Sequence, residues 1–202
     1  MGELYTIGHS THQTAYFISL LKQFHIDYLL DVQSIPYSKY AEHFNRENIY
    51  STLISEGIQY YFMGKYFGAR PQTTALYDND ACLDFEKVRE SPDFIAGIKN
   101  VCLGLCQGHN IALMCTEKNP INCHRAILVA RAFALRKVYA NHILSNGEIM
   151  TQLELDENLL QKYFPDRNQL TLFTAEREIS EEKYVSEAYK LRNKEIGYHI
   201  SF

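Results

Sequence analysis

Asn110–Leu135 reads NIALMCTEKNPINCHRAILVARAFAL, and the fold is decided there. Ile111-Ala112-Leu113-Met114 is an apolar run of the length of one buried strand, and a polar link from Thr116 to Asn122 carries Pro120. Ile127, Leu128, Ala130, Phe133 and Ala134 then recur at helical spacing. Strand, loop and helix in that order make half a unit of a parallel α/β sheet. Cys115 and Glu117 leave the strand, and Cys123-His124-Arg125 enter the helix. Open α/β sheets bind ligands at the carboxyl ends of their strands, where helix N-termini offer backbone N–H groups to anions. This unit is therefore the expected site.

Working outward, four more strands are expected: Leu4–Ile7, Ile26–Leu30, Ile58–Met63 and Val138–Ile143. Helices are expected between them. One follows a Ser10 or Thr11 cap, one spans Asn45–Ser55, and helical material fills Leu83–Cys106 with a new start at Pro92. The expectation is one three-layer α/β domain, with a mostly parallel sheet of about five strands and helices on both faces. Residues 1–147 form this core. Beyond Asn146-Gly147 the pattern turns helical, so residues 148–202 read as an extension docked on the same domain: an amphipathic helix Glu148–Tyr163, a connector Asp166–Thr174 and a charged helix Ile179–Asn193. Gly64–Asp80 is the longest irregular segment and reads as a lid or binding loop.

Composition narrows the classes. The 202 residues are 46% hydrophobic, enough for one substantial core, and contain no run approaching the roughly 20 apolar residues of a membrane span. MGELYTIGHS lacks a basic region and an apolar signal core, which points to a cytoplasmic protein. The net charge of −4 argues against a surface that coats nucleic acid, while leaving room for a local basic groove. Five cysteines, three of them (Cys82, Cys102, Cys106) in apolar helical contexts, fit reduced thiols better than a disulfide framework.

The chemistry-bearing residues converge by topology. In a parallel sheet, His9-Ser10, Asp31, Cys115 with Glu117, and His142 all fall at carboxyl strand ends. Each alone is an ordinary strand-end polar group, and their coincidence is the signal. Cys115 reads either as a nucleophile, since a thiolate is stabilised near helix N-termini and cations, or as pocket wall continuing the apolar strand. Cys-x7-Cys-His invites a zinc site of Cys115, Cys123 and His124 with His9 or His142 as fourth ligand, although the spacing matches no strong zinc signature. Nine residues separate Cys115 from Arg125, so the loop is not the Cys-x5-Arg cradle of phosphatases. A cation in the first helical turn opposes the helix dipole. Arg125 therefore makes sense beside a bound anion, or in a salt bridge to Glu117 or Asp31. Between Pro36 and Arg70, cations alternate with aromatic residues, a composition suited to stacking bases and holding phosphates, though many of these rings must be core.

TIGHS (Thr6–Ser10), DVQSIPYS (Asp31–Ser38) and MCTEKNPINCHR (Met114–Arg125) resemble, in the same order, blocks of the domain of unknown function 488 family. The likeness extends through FGARP, SPDFIAGI, NHI and AYKLRNKEIGYHI to nearly the whole chain. It implies an α/β fold with a polar pocket and assigns no reaction. Two positions depart from the family pattern: Gln33 replaces the usual arginine after Asp-Val, and Phe67-Gly68-Ala69 replaces Leu-Gly-Gly. Arg70 and Lys39 are the candidates to restore the missing pocket cation.

The favoured reading is a hydrolase or group transferase acting on a phosphate-bearing ligand, a nucleotide or nucleic acid, with no cofactor. Ser10, Lys39, Arg70, Cys123, His124 and Arg125 would hold the ligand. His9 or His142 would move protons, Asp31 or Glu117 would orient or act as base, and Cys115 would be nucleophile or wall. The alternatives are a zinc protein built on the Cys/His cluster and a non-catalytic ligand sensor.

Overall fold

The computed structural model describes residues 1–167 and 180–200. Its sheet has six strands: β1 Leu4–Gly8, β2 Tyr28–Asp31, β3 Gln59–Phe62, β4 Ile111–Cys115, β5 Ala140–Ile143 and β6 Ile149–Thr151, in the order β3-β2-β4-β1-β5-β6. The first five run parallel and β6 is antiparallel to β5. The helices are α1 Thr14–Gln23, α2 Arg46–Ser55, α3 Gly64–Phe67, α4 Phe85–Glu90, α5 Pro92–Cys106, α6 Arg131–Ala134, α7 Gln152–Tyr163 and α8 Glu181–Ile196. A π-helical segment, Arg125–Ala130, runs directly into α6.

Period-two alternation distributes the core. Leu4, Leu30, Ile111, Leu113 and Cys115 face one apolar cluster with residues of α4 to α8. Tyr5, Ile7, Leu29, Ala112 and Met114 face the other, with residues of α1 and α2. Both faces being covered, the strands read as continuous apolar runs rather than alternating ones. The register Gly8↔Cys115 puts the ends of β1 and β4 side by side.

The expected α/β fold is thus observed, with three differences. The stretch taken as one helix from Glu148 begins with β6. Asn146-Gly147 is a hairpin turn, closed by Gly147 N–H donating to Leu144 O (3.0 Å), with Gly147 at φ +84°. α7 then starts from a capping box in which Thr151 and Glu154 satisfy each other's backbone N–H groups. Second, Gly64–Asp80 contains α3 and a 3₁₀ turn, Thr74–Leu76. Phe67 is fully buried with its ring centroid 5.2 Å from that of Phe94, and Tyr77 Oη donates to Pro71 O. The segment is anchored in the core rather than built as a free lid. Third, α1 starts at Thr14 behind Gln13, later than the expected cap. Of the expected connector Asp166–Thr174, residues 168–174 lie outside the described residues, as does Ile179. Among the described residues, no helix is long and apolar enough to cross a membrane.

Candidate active site

β4 delivers Cys115 to the carboxyl edge of the sheet, 6% exposed. The chain then crosses to β1, where His9 N–H donates to Cys115 O and Ser10 N–H to Thr116 O, both at 2.9 Å. Asn119 caps the following 3₁₀ turn, Pro120–Asn122, by accepting from Ile121 N–H (3.1 Å). That turn reverses the chain and brings Cys123, 2% exposed, back against Cys115. His124 Nδ1 lies 3.7 Å from Cys115 Sγ and 4.0 Å from Cys123 Sγ. His124 Nε2 lies 2.9 Å from Val32 O, and since a carbonyl accepts only, Nε2 carries the proton. Nδ1 therefore faces both sulfurs.

Arg125 is fully buried. Its Nη1 donates to Glu117 O, and its Nη2 to Lys118 O at 3.3 Å. Gly8 makes room for this arrangement, because a Cβ there would lie 2.0 Å from Glu117 O and 3.2 Å from Arg125 Nη2. The expected anion contact is not at the surface of the site: Arg125 is buried and is absent from the walls of the cleft. Nor does it pair with Glu117 or Asp31, and among the described residues no carboxylate lies within ion-pair distance of it. A buried charge left without a counter-charge costs several kcal/mol. The cysteine pair lies within the electrostatic reach of Arg125. Burial pushes the Cys123 thiol up, but hydrogen bonding from Cys115, the Arg125 charge and His124 outweigh it and hold Cys123 well below an ordinary thiol. Cys115 is pushed well up, first by its hydrogen bond to Cys123 and then by burial. Burial pulls His124 down, yet the Cys123 thiolate and the Val32 carbonyl raise it above its ordinary value.

The sulfurs open into a cleft of about 570 Å³. Its walls are Gln33 to Ser38 after β2, Ala69 and Arg70, Thr116 and Glu117, and Ile196 to His199 from the carboxyl-terminal part of the chain. Thr116 Oγ1 donates to Gln33 Oε1 across the mouth, and the Arg70 guanidinium lies 4.9 Å from the Tyr198 ring centroid. The carboxyl-terminal wall is pinned by Leu83 N–H to Tyr198 O (2.9 Å) and Ile200 N–H to Ala81 O (3.1 Å). Arg192 on α8 reaches the cysteine loop itself, Nε donating to Ile121 O (2.8 Å) and Nη2 to Asn122 Oδ1.

Of the expected residues, Cys115, Glu117, Cys123, His124 and Arg70 line this cleft. Asp31 does not. It is fully buried, accepting from Tyr60 Oη (2.8 Å) and Gln33 N–H (3.0 Å), and burial raises its pKa against those two bonds. It positions the Gln33 loop. His9 is buried, stacked on Phe44 at 4.3 Å, and burial lowers it to about 4. His142 is corrected most clearly. It pairs with Thr6 inside the sheet rather than sitting at the rim, its Nδ1 is 2.8 Å from Thr6 Oγ1, and burial lowers it to about 3. Ser10 and Lys39 do not line the cleft. Gln33, noted in the sequence as standing where the family has a pocket cation, is at the mouth, whereas sequence reasoning missed the Tyr198-His199 wall and the Arg192 clamp. The aromatic stretch divides as its burial dictates, with Phe44, Tyr60 and Phe67 in the core and Tyr37, Tyr40 and Tyr61 exposed.

A three-layer α/β protein with two thiols, a histidine and a buried arginine at the carboxyl edge of its parallel strands is the class this geometry defines. The chain matches the family model described as Domain of unknown function DUF488 over residues 13–132, more than half its length, and belongs to that family. No curated protein and no solved structure matches it.

Proposed function

We propose that the cleft is the active site of a thiolate-dependent hydrolase or group transferase whose substrate is a phosphate-bearing molecule such as a nucleotide or a nucleic acid. The carrying observation is the buried Arg125 without a carboxylate partner, set beside two thiols. A cation so placed favours one permanent thiolate at neutral pH, and thiolates rather than thiols are the nucleophiles. In this reading a sulfur attacks the electrophilic centre, the sulfur bond forms as the bond to the leaving group breaks, and the leaving group takes a proton. Water or an acceptor then releases the group and restores the thiolate. Arg70 over Tyr198 and the polar Gln33 and Thr116 side chains at the mouth suit a charged ligand with a ring.

Alkylation across pH tests this. Cys123 or Cys115 labels well below the pH at which an ordinary thiol, with a pKa of about 8.5, becomes reactive, and Cys123→Ser abolishes the low-pH thiolate absorbance. Labelling of all five cysteines with one ordinary pH profile refutes the reading.

A second reading rests on the ligand atoms of Cys115, Cys123 and His124 lying within 4.8 Å of one another. Two cysteines and a histidine fixed through its other nitrogen by a carbonyl suit zinc, with a fourth position open to the cleft. His142, held by Thr6 through Nδ1, is not among the ligand atoms gathered there. Elemental analysis of untagged protein separates the readings: stoichiometric zinc whose removal exposes the thiols favours the metal, and metal-free reactive thiols favour the nucleophile.

A further inference from the structure

α4, α6 and α8 meet around a recess of about 250 Å³ distinct from the cysteine cleft. α4 contributes Arg89, α6 contributes Arg131, and α8 contributes Ser186, Tyr189, Lys190 and Lys194. The Arg89 side chain is 15% exposed, and its nearest carboxylate oxygen, on Glu86, lies 3.7 Å away, beyond hydrogen-bond reach. Arg131 stacks on Tyr189, 4.5 Å from the ring centroid. Among the described residues neither guanidinium donates a hydrogen bond, so two rigid forks of donors face the recess unused. Burial lowers Arg89, and Arg131 lowers it further by repulsion.

The acidic residues on the same walls are already engaged. Asp84 caps α4 by accepting from Glu86 and Lys87 N–H. Asp78 accepts from Asp80 and Cys82 N–H, both at 2.9 Å. Glu86 is shared between Arg89 and Lys190, at 3.7 and 3.5 Å. Glu86 and Asp84 offset part of the Arg89 charge and Asp156 part of that of Arg131, yet Arg131 still repels Arg89. An anion between the two guanidinium groups relieves that repulsion, and planar forks match the oxygens of phosphate as they do those of a carboxylate.

We propose that this recess is a second ligand site, binding inorganic phosphate or a small phosphomonoester between Arg89 and Arg131. The ligand bridges α4 and α6 to α8, and so ties the helix that clamps the cysteine loop to the core. Lys190 and Lys194 add charge without fixing orientation.

Thermal melting and calorimetry with inorganic phosphate test the site, with chloride at matched ionic strength as the control. Wild type is expected to gain melting temperature with phosphate and not with chloride, as a ligand bound to the folded state requires. Arg89→Gln/Arg131→Gln is expected to fold, to keep the low-pH thiol reactivity, and to lose the phosphate response. Arg131→Lys keeps charge but not the fork, and is expected to weaken binding at least about tenfold. Arg70→Gln, in the cysteine cleft, is expected to respond as wild type does. The proposal is overturned by a phosphate effect no larger than that of chloride, by an unchanged response in the double variant, or by loss of the response in Arg70→Gln alone. Should the double variant fail to fold, Arg131→Lys decides, and wild-type phosphate affinity there overturns the site. Thiol reactivity is read separately, so loss of the phosphate site leaves the proposed reaction standing, and the converse holds.

Discussion

Arg125 and Arg131 stand six residues apart on one continuous helical run, and the protein treats them in opposite ways. Arg125 is sealed from solvent, holds two loop carbonyls, and acts on a thiol pair in which Cys123 is held well below an ordinary thiol. Arg131 lines an open recess opposite another arginine, stacked on Tyr189 and within the electrostatic reach of Asp156. One guanidinium gives its donors to the chain, and the other leaves them for something that arrives. The contrast teaches that an arginine's role is set by which acceptors the surrounding backbone brings to it.

Replacing Arg125 attacks the contrast where it is strongest. Arg125→Met is expected to cost about 3–5 kcal/mol in denaturant unfolding, because it strands a buried thiolate and two carbonyls. Thiolate absorbance should then vanish at neutral pH. Retention of the thiolate in Arg125→Met would break the pairing of this cation with the sulfurs.

Acid comes next, because His142 and His9 both feel the Arg125 charge after burial has lowered them to about 3 and about 4. Between those values and about 6.5, the unfolded chain binds protons that the folded chain refuses. Stability is therefore full above about 6.5 and falls as pH drops toward 4 and then 3. By pH 5 the loss is expected to be about 4 kcal/mol, measured as ΔG of unfolding against pH. His142→Gln should flatten that slope by about half.

Arg192 is an intermediate case: it donates to Ile121 O as Arg125 does to its loop, yet pairs with Glu195. Arg192→Met is expected to cost about 2 kcal/mol, since charge-assisted bonds to the loop are lost without stranding a buried charge. Cys123 should also label faster. Smallest of all, Arg131→Gln in phosphate-free buffer should lie within about 1 kcal/mol of wild type, relief of repulsion offsetting the lost contact with Tyr189. A loss as large as that of Arg125→Met would erase the comparison.

The sheet was legible because its strands are bounded apolar runs, and parallel topology then ordered their ends without further information. Asn146-Gly147 is instructive in the other direction. It carries the strongest short-range signal for a hairpin, and was read as a boundary because the three residues of β6 merge into the helical periodicity of α7. The site was legible as a set of residues and not as an arrangement. Cys115 and Cys123 sit eight positions apart, and only the Asn119-capped turn shows that their sulfurs meet. His142 looked like a rim residue because β5 was placed by composition, whereas its pairing with Thr6 depends on register, which composition does not encode. The Tyr198 wall and the Arg192 clamp come from residues some 70 positions beyond the cysteine loop, a separation no local pattern spans.

The π-helical segment Arg125–Ala130 carries a consequence for chain length. A π-turn is in effect one residue more than an α-helix needs, lodged inside it. Were the same residues to close to regular α geometry, in which each residue turns the axis by about 100°, Arg125 and the apolar face of α6 could not both keep their places. Deleting one residue from Ile127–Ala130 would instead let a regular helix form with both held. The wider turn is what reconciles this count of residues with the site.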